Sequence, residues 1–388
     1  MDTTQDSAAT VPALLAGDQR AAARLLELAG VRIDGDRPWD IRIRHPDTIP
    51  RILARGSLGL GESYMDGWWE CERLDEFIAR VLRVRLDEKV GRAGLMLAAL
   101  KARLLNLQSE RRAWQVGREH YDLGNDLFER MLDPLMTYSC GYWAQADDLA
   151  RAQEAKLDLI CRKLGLQPGM TLLDIGCGWG SLMRFAATHF GAHCVGLTIS
   201  RQQAQWGAER CAGLPVRFEL ADYRAFNADG AQRFDRVASV GMFEHVGHKN
   251  YGDYFAAAHR SLADDGLFLL HTIGKRRSHT AIDPWIEKYI FPNGSLPSVA
   301  ELAAACEERF VVEDWHNFGA DYDRTLMAWH ARFEAAWPQL RARLPERFYR
   351  MWRYYLLACA GSFRARCNQL WQVVLSPAGV AGGYRRPC

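Results

Sequence analysis

The sequence predicts an α/β protein with a doubly wound, mostly parallel sheet, preceded by a smaller α+β unit. From residue 154 onward, helical and strand patterns alternate, which is typical of a parallel sheet with helices on both faces. At 171–180 the apolar run TLLDI leads directly into the glycine-rich GCGWG. Glycines directly after a buried strand let a ligand approach the backbone closely, so this turn is the first candidate for a binding site.

The alternating part contains enough elements for a seven-stranded sheet. Five strands are predicted at 171–175, 193–199, 215–220, 234–240 and 266–272, and two late strand-like runs at 310–315 and 370–375. A helix is predicted before the first strand at 154–165, and further helices between the first five strands at 180–190, 201–212 and 250–263. Two long, aromatic-rich helices are expected between the last two strands, at 322–344 and 345–366.

The N-terminal part predicts a separate domain. A helix is expected at 18–29, and Trp39, Ile41 and Ile43 then alternate with charged residues as in a half-buried strand. The glycine-dense stretch 55–70 predicts either a tight loop that packs aromatic side chains or part of a ligand site. Further helices are predicted at 74–86 and 93–107. The predicted domains are therefore 1–110 and 111–388.

A basic stretch lies at the predicted domain boundary. Residues 89–108 contain four basic side chains and no acidic one, and three more arginines follow by residue 118 (Lys89, Arg92, Lys101, Arg103, Arg111, Arg112 and Arg118). Such a face could lie against anionic lipid. A solvated helix between two domains explains the same charges, and charge alone favours that second interpretation.

Composition excludes several classes of protein. The 388 residues include 49 Lys and Arg against 47 Asp and Glu, which gives no support for nucleic-acid binding. No run approaches the roughly 20 apolar residues of a membrane span, and the N-terminus lacks the pattern of a secretory signal. The ten cysteines form no Cys-x-x-Cys pair, so reduced thiols in a cytoplasm are expected rather than a zinc or redox motif.

The spacing of the glycine turn decides between cofactors. A dinucleotide site needs Gly-x-Gly-x-x-Gly and a carboxylate about 20 residues later. Here the third glycine comes one residue early, and the next strand ends near Thr198 and Ser200. The form Asp-x-Gly-x-Gly-x-Gly, with Asp174, instead resembles the first motif of class I methyltransferases that use S-adenosylmethionine (AdoMet). That resemblance implies a Rossmann-like, seven-stranded fold.

The cofactor site is expected beyond the carboxyl ends of the strands. Asp222 is predicted to bind the adenine, with a surface turn residue as the alternative, and Thr198, Ser200 and Gln203 are predicted to meet the ribose. The full set of candidate cofactor-binding residues is Tyr138, Ser139, Asp174, Gly176, Gly178, Gly180, Thr198, Ser200, Gln203, Asp222 and Tyr223.

Several further motifs resemble one family. They are YSCGYW (138–143), LLDIGCGWG (172–180), GLTISRQQ (196–203), VGMFEHVGHKNY (240–251), LLHTIG (269–274) and NFGADYDRTLMAW (317–329). They are similar to the motifs of the cyclopropane fatty acid and mycolic acid cyclopropane synthases, and the similarity covers nearly the whole chain. The combination of Cys140, Glu244, His271 and Tyr322 is more specific to that family than the glycine turn alone.

The resemblance implies a reaction and a catalytic set. Family members add a methylene group from AdoMet to cis double bonds of acyl chains, through a carbocation that a base then deprotonates. The implied base is a bicarbonate ion held by Cys140, Glu244, His271, Tyr322 and the backbone of Ile273. Cys359 joins the candidate catalytic set as a nucleophile by family analogy, although this chemistry needs no covalent thiol and a buried cysteine is often inert.

The implied partners are unsaturated phospholipids at the inner face of the membrane, which the protein would meet as a cytoplasmic, peripheral enzyme. In that case residues 1–110 would form the lipid- or membrane-associating domain and residues 111–388 the AdoMet-dependent catalytic domain. A homodimer is a candidate assembly. A related enzyme that leaves a methyl or methylene branch is the first rival, because it shares the first chemical step. A nucleic-acid methyltransferase would need an (Asn/Asp)-Pro-Pro-(Tyr/Phe) motif, which is absent. A lipid-binding protein that retains AdoMet only structurally is disfavoured, because all the predicted cleft residues are present.

Three further features of the sequence allow both a functional and a purely structural interpretation. Aromatic residues in or beside the motifs could shelter a carbocation or simply fill the core (Tyr138, Tyr142, Trp143, Phe243 and Tyr322). The stretch 281–294 could line an acyl tunnel or cover the sheet. His245 and His248 could suggest a metal pair, but no third ligand has recognisable spacing, so no metal site is predicted.

Overall fold

The computed structural model describes residue 20 and residues 22–86, 125–279 and 282–387. In its N-terminal unit, two short strands, β1 (Arg42–Ile43) and β2 (Trp69–Glu70), pair antiparallel. Three helices accompany them: α1 (22–28), α2 (Thr48–Met65) and α3 (Leu74–Arg83). The predicted α+β character is therefore present, although the strand predicted at Trp39–Ile43 is regular only over its last two residues.

The loop predicted for the glycine-dense stretch 55–70 is wrong, because most of it belongs to α2. Gly56 has φ +56° and kinks the helix. A side chain at Gly61 would come within 2.3 Å of the indole of Trp285, so this glycine lets α2 pack directly against that ring. Tertiary packing here overrides the poor helix propensity of glycine.

A seven-stranded sheet forms the centre of the larger unit, as predicted. Its strands are β3 (Thr171–Ile175), β4 (His193–Thr198), β5 (Val216–Leu220), β6 (Phe234–Val240), β7 (Leu262–Lys275), β8 (Val311–Asn317) and β9 (Asn368–Ser376). The order is β5-β4-β3-β6-β7-β9-β8. The five strands from β3 to β7 run parallel to one another, whereas β9 pairs antiparallel with both β7 and β8.

Helices cover both faces of this sheet. The helices of the larger unit are α4 (Asn125–Met131), α5 (Leu149–Lys163), α6 (Ser181–Phe190), α7 (Arg201–Arg210), α8 (Tyr251–Ser261), α9 (Pro284–Tyr289), α10 (Val299–Cys306), α11 (Ala320–Leu340) and α12 (Glu346–Arg364). Alternate residues of β3 enter opposite cores: Leu172 packs with α5 and α6, and Leu173 packs with α8 and α10. This is the period-two burial of a sheet covered on both sides.

The N-terminal unit packs against α9, α11 and α12 in one continuous apolar core. Polar contacts reinforce this packing. Arg350 donates to the carbonyl oxygen of Tyr64 at 2.6 Å, and Arg364 binds Asp75 at 2.6 Å and Asp323 at 2.8 Å. Within the stretch predicted either to line an acyl tunnel or to cover the sheet, α9 packs against α2 of the N-terminal unit through Trp285.

Some predictions lie outside the described residues. They include the helix at 93–107, the basic stretch at 89–112 and the domain boundary near residue 110, which stay predictions. Within the part of the chain that the structure describes, no helix is long and apolar enough to cross a membrane.

Candidate active site

The three glycines after β3 have different roles, although all have positive φ angles. A side chain at Gly176 would come within 2.5 Å of Met242, and one at Gly180 would come within 2.5 Å of Phe218. A side chain at Gly178, where φ is +56°, would meet nothing within 4 Å, because this residue opens into a cavity. Gly176 and Gly180 thus allow close packing of the protein, and Gly178 leaves space for a ligand.

The cavity collects most of the predicted cofactor-binding residues. It is lined by Tyr138, Ser139, Asp174, Gly176, Gly178, Thr198, Gln203, Asp222 and Tyr223. Gly180 and Ser200 do not line it. Gly180 stands at the start of α6, and the hydroxyl of Ser200 caps α7 by accepting the backbone N–H of Gln203 at 3.3 Å. Ser200 therefore supports the helix that presents Gln203, rather than facing the cavity itself.

The cavity wall also contains a buried lysine that no sequence motif indicated. Lys156 is fully buried on α5, and its Nζ donates to the hydroxyl of Ser139 at 2.9 Å. Burial lowers the pKa of Lys156 to about 8. A lysine in an amphipathic helix is ordinarily assigned to the solvated face. Lys156, however, lies four residues from both Ala152 and Ile160, and this spacing could have indicated from the sequence that it is buried.

Asp174 carries an unpaired oxygen at this cavity. Its Oδ1 is buried and has no hydrogen-bond partner. Burial raises the pKa of Asp174 to about 7, and the nearby Lys156 offsets only part of that increase. A buried carboxylate with a free oxygen favours a cationic ligand group, such as an ammonium, because an unpaired buried charge is costly.

Two hydrogen-bonded side-chain pairs form another part of the cavity wall. Thr198 donates its hydroxyl to Oε1 of Gln203 at 2.9 Å. Both carboxylate oxygens of Asp222 accept from Arg224, at 2.8 and 2.7 Å. Asp222 is thus a fixed cavity-lining acceptor rather than a free surface turn residue.

Glu244, which follows β6, and His271, near the end of β7, carry two further unpaired polar atoms. Oε1 of Glu244 accepts the backbone N–H of Ile273 at 2.7 Å, and its Oε2 is buried without a partner. Nδ1 of His271 lies 3.3 Å from Nε2 of Gln372, and its Nε2 is likewise buried and unpaired. Burial raises the pKa of Glu244 to about 7 and lowers that of His271 well below its ordinary value.

Cys140 lies on a loop that Thr325 fastens to α11. The Thr325 hydroxyl accepts from the backbone N–H of Gly141 at 3.0 Å and from the indole N–H of Trp143 at 2.9 Å. Burial raises the pKa of the Cys140 thiol well above its ordinary value. Cys140 is therefore a neutral thiol in a rigid loop.

Tyr322 lies one turn before Thr325 on the same helix. Burial raises its pKa, and the nearby Cys140 and Glu244 raise it further. The pKa of Cys359, which also lies near Tyr322, is raised to about 12 by desolvation, so its thiol is protonated at neutral pH. Three predicted catalytic residues from separate parts of the chain therefore lie near Tyr322, namely Cys140, Glu244 and Cys359.

These catalytic candidates adjoin the cavity without lining it. Cys140 follows the lining pair Tyr138 and Ser139, and Glu244 lies between the lining residues Met242 and His245. The N–H of Gly241, another lining residue, donates to the carbonyl oxygen of His271 at 2.9 Å. A cofactor cavity and a buried acid–base cluster therefore share one wall.

The two histidines of the EHVGH motif, for which no metal site was predicted, have similar environments. His245 and His248 are both partly buried, and desolvation lowers the pKa of each imidazole, to about 4 for His245. Among the described residues, no group of three or more His, Cys, Asp or Glu side chains could hold a metal ion.

The sheet order and the glycine turn define a class I AdoMet-dependent methyltransferase fold, and solved structures agree. The cyclopropane synthase MmaA2 from Mycobacterium tuberculosis matches with a TM-score of 0.64 and 35% identity, over 68% of this chain and 97% of that one. The mycolic acid cyclopropane synthase CmaA1, solved in complex with SAH and CTAB, matches with a TM-score of 0.63 and 36% identity, over the same shares of the two chains.

The family model described as mycolic acid cyclopropane synthetase matches residues 108–373, and the chain belongs to that family. The cyclopropane-fatty-acyl-phospholipid synthase of Escherichia coli (strain K12) is 58% identical over 369 residues, which cover 94% of this chain and 95% of that protein. The predicted family, fold and enzyme class are confirmed. The two mycobacterial structures match 68% of this chain and 97% of their own chains. The Escherichia coli relative matches 94% of this chain, so its similarity extends into the N-terminal unit as well.

Proposed function

We propose that the protein transfers a methylene group from AdoMet to cis double bonds in the acyl chains of unsaturated phospholipids and forms cyclopropane rings. The observation that carries this proposal is the shared wall between a glycine-lined cofactor cavity and a buried cluster with unpaired acid and imidazole atoms. The near full-length similarity to a cyclopropane-fatty-acyl-phospholipid synthase favours a phospholipid as the substrate.

The cavity residues fit AdoMet. The open position at Gly178 leaves room for the cofactor, and the unpaired Oδ1 of Asp174 suits its ammonium group. Thr198 and Gln203 offer hydroxyl and amide groups for a ribose, and Asp222 and Tyr223, which line the same cavity, would bind the adenine. The structure of a relative in complex with SAH, the demethylated form of AdoMet, supports this assignment. AdoMet supplies the electrophilic methyl group, and these residues hold and orient it.

The second cluster fits a bicarbonate ion. Oε2 of Glu244 is free to accept a hydrogen bond from the hydroxyl of such an ion, and Nε2 of His271 and the hydroxyl of Tyr322 can donate to its oxygens. Bicarbonate supplies a base there, so no ionised side chain has to enter the hydrocarbon. The N–H of Ile273 already donates to Glu244, so we assign it to fixing the carboxylate rather than to holding the ion.

Aromatic rings surround the place where the acyl chain would react. Tyr322 contacts Phe363 with ring centroids 4.6 Å apart and Trp329 at 6.0 Å, and Tyr138 contacts Trp329 at 5.2 Å. Each ring face can stabilise positive charge on the acyl chain by roughly 0.5–2 kcal/mol. These rings exclude water and offer no nucleophile, which suits a cationic intermediate.

The membrane partner is a further part of the proposal. We assign phospholipid-surface binding to the N-terminal unit and to the basic stretch at 89–112, with the protein bound peripherally at the inner, cytoplasmic face. A homodimer remains the proposed assembly.

Product analysis tests the proposed function. The purified protein is incubated with AdoMet and vesicles of a monounsaturated phosphatidylglycerol, and the released acyl chains are examined by mass spectrometry and NMR. We expect each double bond to gain one CH₂ and the NMR spectrum to show cyclopropane protons. Vinylic or branched-methyl signals with the same mass gain would instead identify the branching alternative, and an unchanged lipid would refute the proposal.

A further inference from the structure

Gln372 lies directly across the sheet from His271. The strands β7 and β9 are antiparallel, and their register pairs these two residues. The side chains are among the most buried polar groups of the protein, with 0% and 1% of their surface exposed. Nε2 of Gln372 is 3.3 Å from Nδ1 of His271. The sheet therefore holds the amide against one particular nitrogen of the imidazole.

Two polar atoms of this pair have no hydrogen-bond partner in the part of the chain that the structure describes. They are Nε2 of His271 and Oε1 of Gln372. Leaving a buried polar atom unsatisfied is costly, so such atoms mark places where a ligand completes the hydrogen bonding. Because Nδ1 already faces the amide, Nε2 is the nitrogen left for a ligand.

The imidazole is neutral in this environment. Burial lowers the pKa of His271 well below its ordinary value, and the positive charges of Lys156 and Lys163 act in the same direction. A neutral imidazole carries one N–H, so one nitrogen donates and the other accepts. Whichever nitrogen accepts from a neighbour leaves the proton on the other.

We propose that Gln372 is a positioning residue that donates its amide N–H to Nδ1 of His271 and thereby keeps the imidazole proton on Nε2. In that tautomer, His271 presents a hydrogen-bond donor to the anion assigned to this cluster. This inference rests on the proposed function, since only an anionic occupant requires a donor at Nε2. The opposite tautomer would direct a lone pair toward the anion and repel it.

The ring orientation is fixed by a second contact. The ring of Phe318 meets that of His271 edge to face, with centroids 5.9 Å apart and an angle of 69° between the planes. Together, the amide at Nδ1 and the ring of Phe318 restrict rotation of the imidazole. Gln372 thus acts through His271, at a site that the sequence motifs did not include.

The tautomer can be measured without substrate. Protein labelled with ¹⁵N-histidine is examined by long-range ¹H–¹⁵N correlation, and the signals of His271 are assigned by their loss in His271→Asn. We expect His271 to show an unprotonated Nδ1 and a protonated Nε2. A proton on Nδ1 in the wild-type protein would overturn the inference.

The variant Gln372→Met removes the amide while keeping a similar side-chain volume. We expect mixed tautomers at His271 and a loss in kcat of roughly 10- to 100-fold, the usual effect of removing a group that orients a functional histidine. The KM for AdoMet should stay unchanged. Gln369→Met is the matched control, because Gln369 lies on the same strand but bonds Asn317 and Trp371 instead, and it should keep the wild-type tautomer and kcat.

The outcomes separate this inference from the proposed function. If the wild-type protein forms cyclopropane lipids and His271 carries its proton on Nδ1, the inference alone fails. If Gln372→Met is folded and retains both the Nε2–H tautomer and full kcat, the inference also fails. If the wild-type protein forms no cyclopropane lipid with any vesicle, the proposed function fails, whatever the tautomer.

Discussion

Glu244→Gln should make the protein more stable while it abolishes most of its activity. Glu244 is buried, with one oxygen accepting the N–H of Ile273 and the other without a partner. Glutamine has the same shape and keeps an acceptor for that N–H. It cannot ionise, however, and so it loses the negative charge that the proposed reaction uses.

The size of the stability change follows from the pKa of Glu244, which burial raises from 4.5 to about 7. Between these pH values the folded protein holds a proton that the unfolded chain releases, so stability is full below pH 4.5 and falls as the pH rises to about 7. The ionised carboxylate therefore costs the wild-type fold about 3 kcal/mol above pH 7, which Glu244→Gln avoids. For a chain of 388 residues this corresponds to a Tm difference of about 4 °C.

Calorimetric unfolding of both proteins from pH 4.5 to pH 8 tests this reasoning. The variant should have nearly the wild-type Tm at the acidic end and a higher Tm at the alkaline end, and ring formation should fall by about 10² to 10⁴, the usual contribution of a positioned acid–base group. Parallel Tm curves for the two proteins would refute the burial argument. Near-normal ring formation by the variant would refute the catalytic assignment.

Three further substitutions test separate parts of the account. Gly178→Ala should lower AdoMet affinity in calorimetry by at least about tenfold because its methyl group enters the cavity, whereas Gly213→Ala, at another positive φ with open space, should leave that affinity unchanged. Cys359→Ser should keep most activity, since a thiol whose pKa is raised to about 12 is not a thiolate; a folded, AdoMet-binding but inactive variant would contradict this. A triple variant with Arg92, Lys101 and Arg103 changed to glutamate should bind anionic vesicles more weakly in sedimentation, with a binding free energy lower by roughly 1 kcal/mol for each basic residue lost. Its AdoMet affinity should not change. Equal sedimentation at low salt would leave the basic stretch as a solvated linker.

Local patterns were sufficient to predict that residues from several strand ends line one cavity. The strand β3 and its glycine turn are contiguous in sequence, and parallel strands bring their carboxyl ends to one edge, so the sequence alone places Asp174, Thr198 and Asp222 together. The distinct roles of the glycines could not be predicted in this way. They depend on Met242 and Phe218, which approach Gly176 and Gly180 from other parts of the chain.

The residues that sequence reasoning missed depend on long-range geometry. Gln372 is one polar residue in an apolar strand, and only the antiparallel register of β9 against β7 places it at His271. The sequence suggests that Lys156 is a solvated helix residue, because its burial depends on contact with the loop that carries Ser139. The helix α2 was predicted as a loop because its glycines are poor helix formers, and Trp285, far along the chain, supplies the packing that compensates.

AdoMet with a fully deuterated methyl group gives the most direct test of ring formation. In the proposed reaction the transferred carbon loses one deuteron to the base and keeps two, and the product should show a cyclopropane ring by NMR. Mass spectrometry of acyl chains from monounsaturated vesicles should therefore find two deuterons for each ring formed by the wild-type protein. Three retained deuterons, or two in a product with vinylic signals, would show that the protein makes a branched chain and would contradict the central claim.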